Sequence, residues 1–276
     1  MISLLEYDFL RNALLAGLLV SVACAIVGTF VVVRKMVFLA GGIAHASFGG
    51  IGIGYFFGLN PLLSALAFSV LSAVGMGIAV RKVRVSEDSA IGILWAIGMA
   101  LGVLFVGLTP GYVPDLFSYL FGNILMVPTQ ELLLMAILDL LILAVAVAFY
   151  KELVAVCFDE EFAWVVGVRT QLFFLMLLVM VAFSIVMLIR TVGIVLVLAL
   201  ITIPSVIARH LTASLRKMMF LSGGLGFTFV VGGLVLSYLL DVPSGATIVL
   251  IGGGTFLIAE GIKGLSKWWT PPASRP

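Results

Sequence analysis

Apolar runs of about 17 to 25 residues recur along this chain, the length that crosses a hydrocarbon core of about 30 Å as helix. Nine can be drawn, near residues 13–33, 38–58, 61–80, 89–108, 131–150, 170–189, 192–208, 218–240 and 245–262. In lipid every backbone polar group must be satisfied within the protein, which leaves helices or a closed barrel. The runs are continuous rather than alternating and rich in glycine and leucine, so a barrel is disfavoured. The expected fold is all-α, a polytopic transmembrane helix bundle of about eight or nine spans. A charged content of 10% and a mean hydropathy of +1.31 exclude a soluble globule, which would carry about 25% charged residues.

Cytoplasmic segments retain Lys and Arg, which orients the bundle. With the N-terminus outside, one side holds Arg34 and Lys35; Arg81, Lys82 and Arg84; Lys151 and Arg169; Arg209, Arg216 and Lys217; and Lys263, Lys267 and Arg275. Only Arg11 and Arg190 fall opposite, so the C-terminus is expected in the cytoplasm. The formal charge of +2 is spread over five segments and implies no nucleic-acid partner. Cys24 lies in the first span and Cys157 in an inner segment, which disfavours a disulfide.

Residues 1–276 read as a single transmembrane domain, since the longest segments between spans are 109–130 and 151–169. No Gly-rich loop ending in Gly-Lys-Ser/Thr is present, so the chain is not expected to be an enzyme, and any ATP hydrolysis belongs to a separate polypeptide. The outer segment 109–128 holds Pro110, Pro114 and Pro128 around a short apolar piece, Leu116 to Leu125. That piece is too short to cross; it lies in the interface, dips in beside other helices, or forms a surface loop anchored by Tyr112 and Tyr119. The inner segment CFDEEFAWVVGV reads as a short amphipathic helix with Asp159, Glu160 and Glu161 in its first turn and an apolar side of Phe158, Phe162 and Val165 or Val166. Such a helix lies on the bilayer or docks into a cytosolic partner, and its acids favour the partner.

Two ionisable residues sit deep in apolar spans. His45 is ten residues from Lys35, about 15 Å along a helix, and Asp139 is eight residues from Glu131, about 12 Å, so they can share a depth. Gly42, Ala46, Gly50, Gly54 and Gly58 fall four apart on one ridge, with Gly41, His45 and Gly49 on the next. One face is built for close backbone contact, and beside it sits a metal-capable nitrogen. Imidazole and carboxylate suit a transient divalent cation site; against that stand a His45 bonded across a tight helix contact and an Asp139 paired with a hydroxyl or Arg. Pro204 is expected to kink the seventh span, as structure or hinge. Pro243 and Gly245 in DVPSGA read as a turn and helix cap, and His210 and Glu260 as surface ions.

Five segments in order resemble one family: VVVRKM with GGIAHASFGG at 31–50, SYLFGNIL at 118–125, FDEEFAWVVGV at 158–168, VGIVLVLALITIPSVIARHL at 192–211 and LSYLLDVPSGATIVL at 236–250. The chain is similar to the integral-membrane permease subunit of the ABC importers for zinc, manganese and iron(II), the ABC-3 family. The resemblance implies a second copy of the chain around a central path, a cytosolic ABC ATPase dimer, an extracytoplasmic metal-binding protein and a place in the inner (cytoplasmic) membrane. A divalent metal would be the transported substrate, with no permanently bound cofactor. The segment near 156–168, including Phe158, Asp159, Glu160, Glu161, Phe162 and Gly167, would couple to the ATPase, and His45 would line the path. Many members carry an aspartate four residues before that histidine, where this chain has Gly41. Either Asp139 or the second copy's His45 would then complete the site. Nitrogen ligation puts zinc first, with manganese or iron next. The competing readings are a proton-coupled secondary transporter using His45 and Asp139, and an ABC permease for a chelated metal or cobalamin.

Overall fold

A computed structural model of the chain describes residues 7–82, 86–111 and 116–269. Arg84, Tyr112, Pro114 and Arg275 lie outside the described residues, as do the side chains of Arg81, Lys82, Lys263 and Lys267. Every regular element among the described residues is helical. The first rod, Asp8–Val33, comprises α1 (Asp8–Ala23), a π-helical turn (Cys24–Gly28) and α2 (Thr29–Val33). There follow α3 (Val37–Phe56), α4 (Pro61–Lys82), α5 (Glu87–Leu108), α6 (Leu116–Phe121), α7 (Thr129–Ala148), α8 (Tyr150–Phe158) and α9 (Glu160–Val165). The chain closes with α10 (Thr170–Thr191), α11 (Val197–Leu211), α12 (Leu215–Leu240) and α13 (Ser244–Trp269).

Eight of these helices are long and apolar enough to cross a membrane. The run drawn at 192–208 is different, because α10 stops at Thr191 and the chain turns at Gly193, with φ +81°, before α11 begins. α11 has 15 residues, about 22 Å of helix. The freed backbone is satisfied from outside the helix: Ile194 N–H donates to the Tyr119 carbonyl at 3.0 Å and Val195 N–H to that of Leu120 at 3.2 Å. Irregular backbone is tolerated at such depth only when protein covers it in this way. Residues 116–128 of the segment between α5 and α7 pack beside α10 and α1, and Tyr119 is buried rather than a surface anchor.

Burial sorts the helices. α10 and the first rod are central, while α5, α7, α12 and α13 turn much of their length outward. Phe30, Ile43, Ile142, Leu177 and Ile185 fill the core. Large apolar side chains such as Leu71, Val103, Leu140, Phe220 and Leu250 face out, a surface suited to lipid and unlike that of a soluble monomer.

The glycine ridges serve close helix contact except at Gly58, which lies beyond α3 in a turn with φ +66° and nothing within 4 Å. A Cβ on Gly50 would lie 2.5 Å from the Ser64 carbonyl oxygen and one on Gly54 2.8 Å from Pro61 Cα, so this ridge packs on α4. On the next face a Cβ on Gly52 would lie 2.5 Å from the Gly102 carbonyl oxygen, and one on Gly49 3.0 Å from that of Gly98, both on α5. Such small-residue contacts let helices approach at backbone distance where the hydrophobic effect supplies no drive. Pro204 lies within α11, which continues as helix on both sides of it, and the π-turn of the first rod packs there. A Cβ on Gly28 would come within 2.8 Å of Ser205 Oγ, which in turn meets Ser222 Oγ of α12 at 2.9 Å.

The turn at Gly193 carries a testable energy. A residue other than glycine costs about 1–2 kcal/mol at positive φ, and at Gly193 a Cβ would also collide with the backbone of Gly122 and Leu120. Gly111, with φ +91° and nothing within 4 Å, pays only the conformational cost. Gly193→Ala is thus expected to lower the melting temperature of the purified protein clearly more than Gly111→Ala, and equal shifts would show that the 119–123 contact carries no weight.

Candidate functional site

His45 lies near the middle of α3, eight residues from its start and thus about 12 Å along the helix. Its ring stacks on Trp95 of α5, with centroids 3.8 Å apart and planes 8° from parallel. Flat stacking covers one face of the imidazole and leaves both nitrogens at its edge, where a metal ligand acts. Nothing in the motif pattern singles out Trp95, though its position carried a signal. It is eight residues into α5 as His45 is eight into α3, both helices start from the same end of the bundle, and Trp normally prefers a membrane interface to mid-span.

One turn earlier, Gly41 abuts α11, where a Cβ would meet Leu198 Cδ1 at 2.9 Å. The position is used for packing, and an acid there would have to displace Leu198. α7 packs against α1, α10, α8 and the π-turn, whereas α3 packs against α4, α5, α10 and α11. Asp139 is 7% exposed, lies within electrostatic reach of Cys24, and has a buried Oδ1 with no hydrogen-bond partner. α3, which carries His45, and α7, which carries Asp139, thus share α10 as a neighbour. Among the described residues no three of His, Cys, Asp and Glu are grouped to hold a metal ion.

At the end of the bundle where α3 begins, the acidic segment folds as expected. Asp159 caps α9, its Oδ1 accepting from Phe162 N–H at 2.9 Å. Two residues past the end of α9 stands Gly167, with φ +90°, and Val168 N–H donates to the Ala163 carbonyl at 2.9 Å, a glycine-terminated helix end. Ala163 is buried beneath it, while Phe158, Phe162, Trp164, Val165 and Val166 are exposed on its outer side. Trp164, absent from the expected apolar side, is 71% exposed and the largest group there. Glu160 departs from the expected partner-facing acid: it turns inward and pairs with Arg34. Burial pushes the Cys157 thiol up to about 12, against a smaller downward pull from Arg34.

At the opposite end three glycine-bearing segments meet. Gly122, with φ +73°, faces Val192 and Gly193, and Gly245 at the start of α13 would place a Cβ 2.5 Å from the Phe121 carbonyl oxygen. The Asp241–Pro243 turn behaves as read: Asp241 adopts φ +53°, and Thr247 bonds back to the Pro243 carbonyl through both its N–H and its hydroxyl. Arg190 Nε donates to Glu131 Oε2 at 2.6 Å beside this knot and stacks over Tyr119. His210 and Glu260, expected to be separately solvated, contact each other at 2.6 Å and tie the end of α11 to α13.

The profile of the ABC 3 transport family matches residues 6–262. The manganese transport system membrane protein MntC of Halalkalibacterium halodurans is 34% identical over 272 residues, covering 96% of this chain and 92% of the relative. A probable iron transport system membrane protein of Haemophilus influenzae is 32% identical over 256 residues, 92% of this chain and 94% of the relative. Among solved structures, PsaBC from Streptococcus pneumoniae in complex with Fab superimposes with a TM-score of 0.85 at 31% identity, covering 94% of this chain and 93% of that one. The motif-bearing segments come together at the two ends of one helix bundle, His45 sits between them, and the match runs through nearly the whole chain: the protein belongs to the ABC 3 transport family.

Proposed function

We propose that this chain is the transmembrane permease subunit of an ATP-binding-cassette importer that moves a divalent metal ion across the inner (cytoplasmic) membrane. The observation that carries this reading is the exposed apolar face of α9 at one end of a family-matched bundle. A cluster of two aromatic rings and a valine on a six-residue helix, continued by Val166 and capped by Asp159, is a docking surface for a cytosolic ATPase dimer. An extracytoplasmic binding protein would deliver the ion at the Gly122–Gly193–Gly245 end, and a second copy of the chain would supply the other wall of the path. His45 gives a single nitrogen contact per protomer, which suits passage better than retention. The relatives are named for manganese and iron, so manganese takes first place in this reading and zinc, favoured on nitrogen ligation alone, follows.

The test is reconstitution with the cognate ATPase and binding protein, scoring manganese, iron(II) and zinc uptake. ATP-dependent uptake of at least one is expected. Uptake that survives ATP depletion and collapses with the proton gradient would replace this reading with secondary transport. Independently, Trp164→Ala with Phe162→Ala is expected to weaken ATPase association about thirtyfold or more, as for anchor residues worth about 2 kcal/mol or above. Unchanged association in a pull-down would remove α9 as the docking surface.

A further inference from the structure

We infer that Arg34 is a positioning residue through which α9 drives the helix that carries His45, an assignment that rests on the function proposed above. Arg34 caps the C-terminal end of α2, and only Lys35 and Met36 separate it from α3. That joint is tight. Lys35 adopts φ +62°, a conformation uncommon outside glycine, and Met36 N–H donates back to the Val31 carbonyl at 3.0 Å. A displacement of the Arg34 side chain is therefore delivered to the base of α3, eight residues from His45.

The guanidinium is held from the coupling side. Nη1 donates to the Val156 carbonyl at the end of α8, Nη2 to Glu160 Oε2 in the first turn of α9, and its face lies 4.9 Å from the Phe174 ring of α10. At 16% side-chain exposure the group is largely desolvated, where a forked, always charged donor holds its partners far better than a lysine point charge. Beyond this link α9 is anchored mainly by Ala163, the rest of its side chains facing outward. Beside the link is a cavity of about 650 Å³ lined by Arg34, Lys35, Val80, Glu87, Phe158 and Phe174. The joint can shift into that space without displacing packed core.

A second tie widens the consequence. Arg209, in the last turn of α11, donates to the Val32 carbonyl at 3.4 Å, two residues before Arg34. α11 also holds Leu198 against Gly41, one turn from His45. The Arg34 joint thus borders both helices that flank the imidazole.

The experiment uses the complete transporter in proteoliposomes, with manganese as the probe, and measures metal accumulated per ATP hydrolysed, normalised to the amount of assembled complex. Arg34→Gln and Glu160→Gln are each expected to lower that ratio at least about tenfold. Arg34→Lys falls between them and the unaltered protein, and the Arg34→Gln/Glu160→Gln double variant is no worse than either single change, as for two ends of one link. A normalised ratio that is unchanged, or additive losses in the double variant, would overturn the assignment. A loss confined to the quantity of complex would overturn it as well, by marking the pair as merely structural. Should Arg34→Gln fail to fold, Glu160→Gln, at a half-exposed position, carries the same decision. If the unaltered transporter moves no divalent metal, the proposed function fails; if it does and the ratio is indifferent to Arg34, this inference alone fails.

Discussion

His45→Phe is expected to abolish most divalent-metal uptake, by about tenfold to a hundredfold, while leaving the protein folded and assembled. The magnitude is the one that accompanies disturbance of a metal's ligand surroundings. Phenylalanine keeps a flat ring to stack on Trp95, at the 3.8 Å spacing of the native pair, and removes only the nitrogens. His45→Ala removes the stack as well and opens space beside Gly49, so the two variants separate loss of ligation from loss of packing. If the imidazole acts as a ligand, both lose uptake and only His45→Ala also loses thermal stability. Uptake by His45→Phe equal to that of the unaltered protein would take the imidazole out of the path. Trp95→Leu should give a smaller loss than His45→Phe, because the ring would still be present but no longer held in one plane.

That pair marks the boundary of what the residues disclose without coordinates. Hydropathy identifies the long helices because a bilayer imposes one length and forbids unpaired backbone, so eight of the nine runs correspond to spans. The period-four glycines are equally legible, since only close backbone contact uses a ridge without side chains. What hydropathy cannot see is backbone satisfied at a distance. The run at 192–208 is apolar throughout, yet its first residues bond to Tyr119 and Leu120 instead of continuing a helix. The acids of the 158–168 segment show the same limit: their presence and the helix they open follow from composition and capping. That Asp159 serves the cap, Glu160 reaches back to Arg34 and Trp164 faces out depends on where the first rod ends in space. Asp139 shows the same limit, because residue spacing gives a position along a helix and not the neighbours that its side chain meets.

Glu131→Gln should destabilise the protein by about 3–5 kcal/mol, the cost of stranding one member of a buried ion pair. Arg190 and Glu131 are 10% and 17% exposed and joined at 2.6 Å, and the guanidinium lies 4.9 Å from the Tyr119 ring. The pair closes α7 onto α10 at the point where α10 stops, and the Arg190 carbonyl accepts the Asn123 N–H at 3.2 Å, so it also holds the segment that satisfies Val195 and Ile194. Removing only the carboxylate charge leaves a cation in a site of low dielectric, and the penalty comes chiefly from that cation rather than from the lost attraction. The double change Glu131→Leu with Arg190→Met therefore tests the physics. It removes both charges, retains apolar contact with Tyr119, and is expected to recover much of the melting temperature lost in Glu131→Gln. If the double variant melts as low as or lower than the single one, the pair contributes net attraction beyond its desolvation cost; if Glu131→Gln itself leaves melting unchanged, water reaches Arg190 and this end of the bundle is looser than its packing implies.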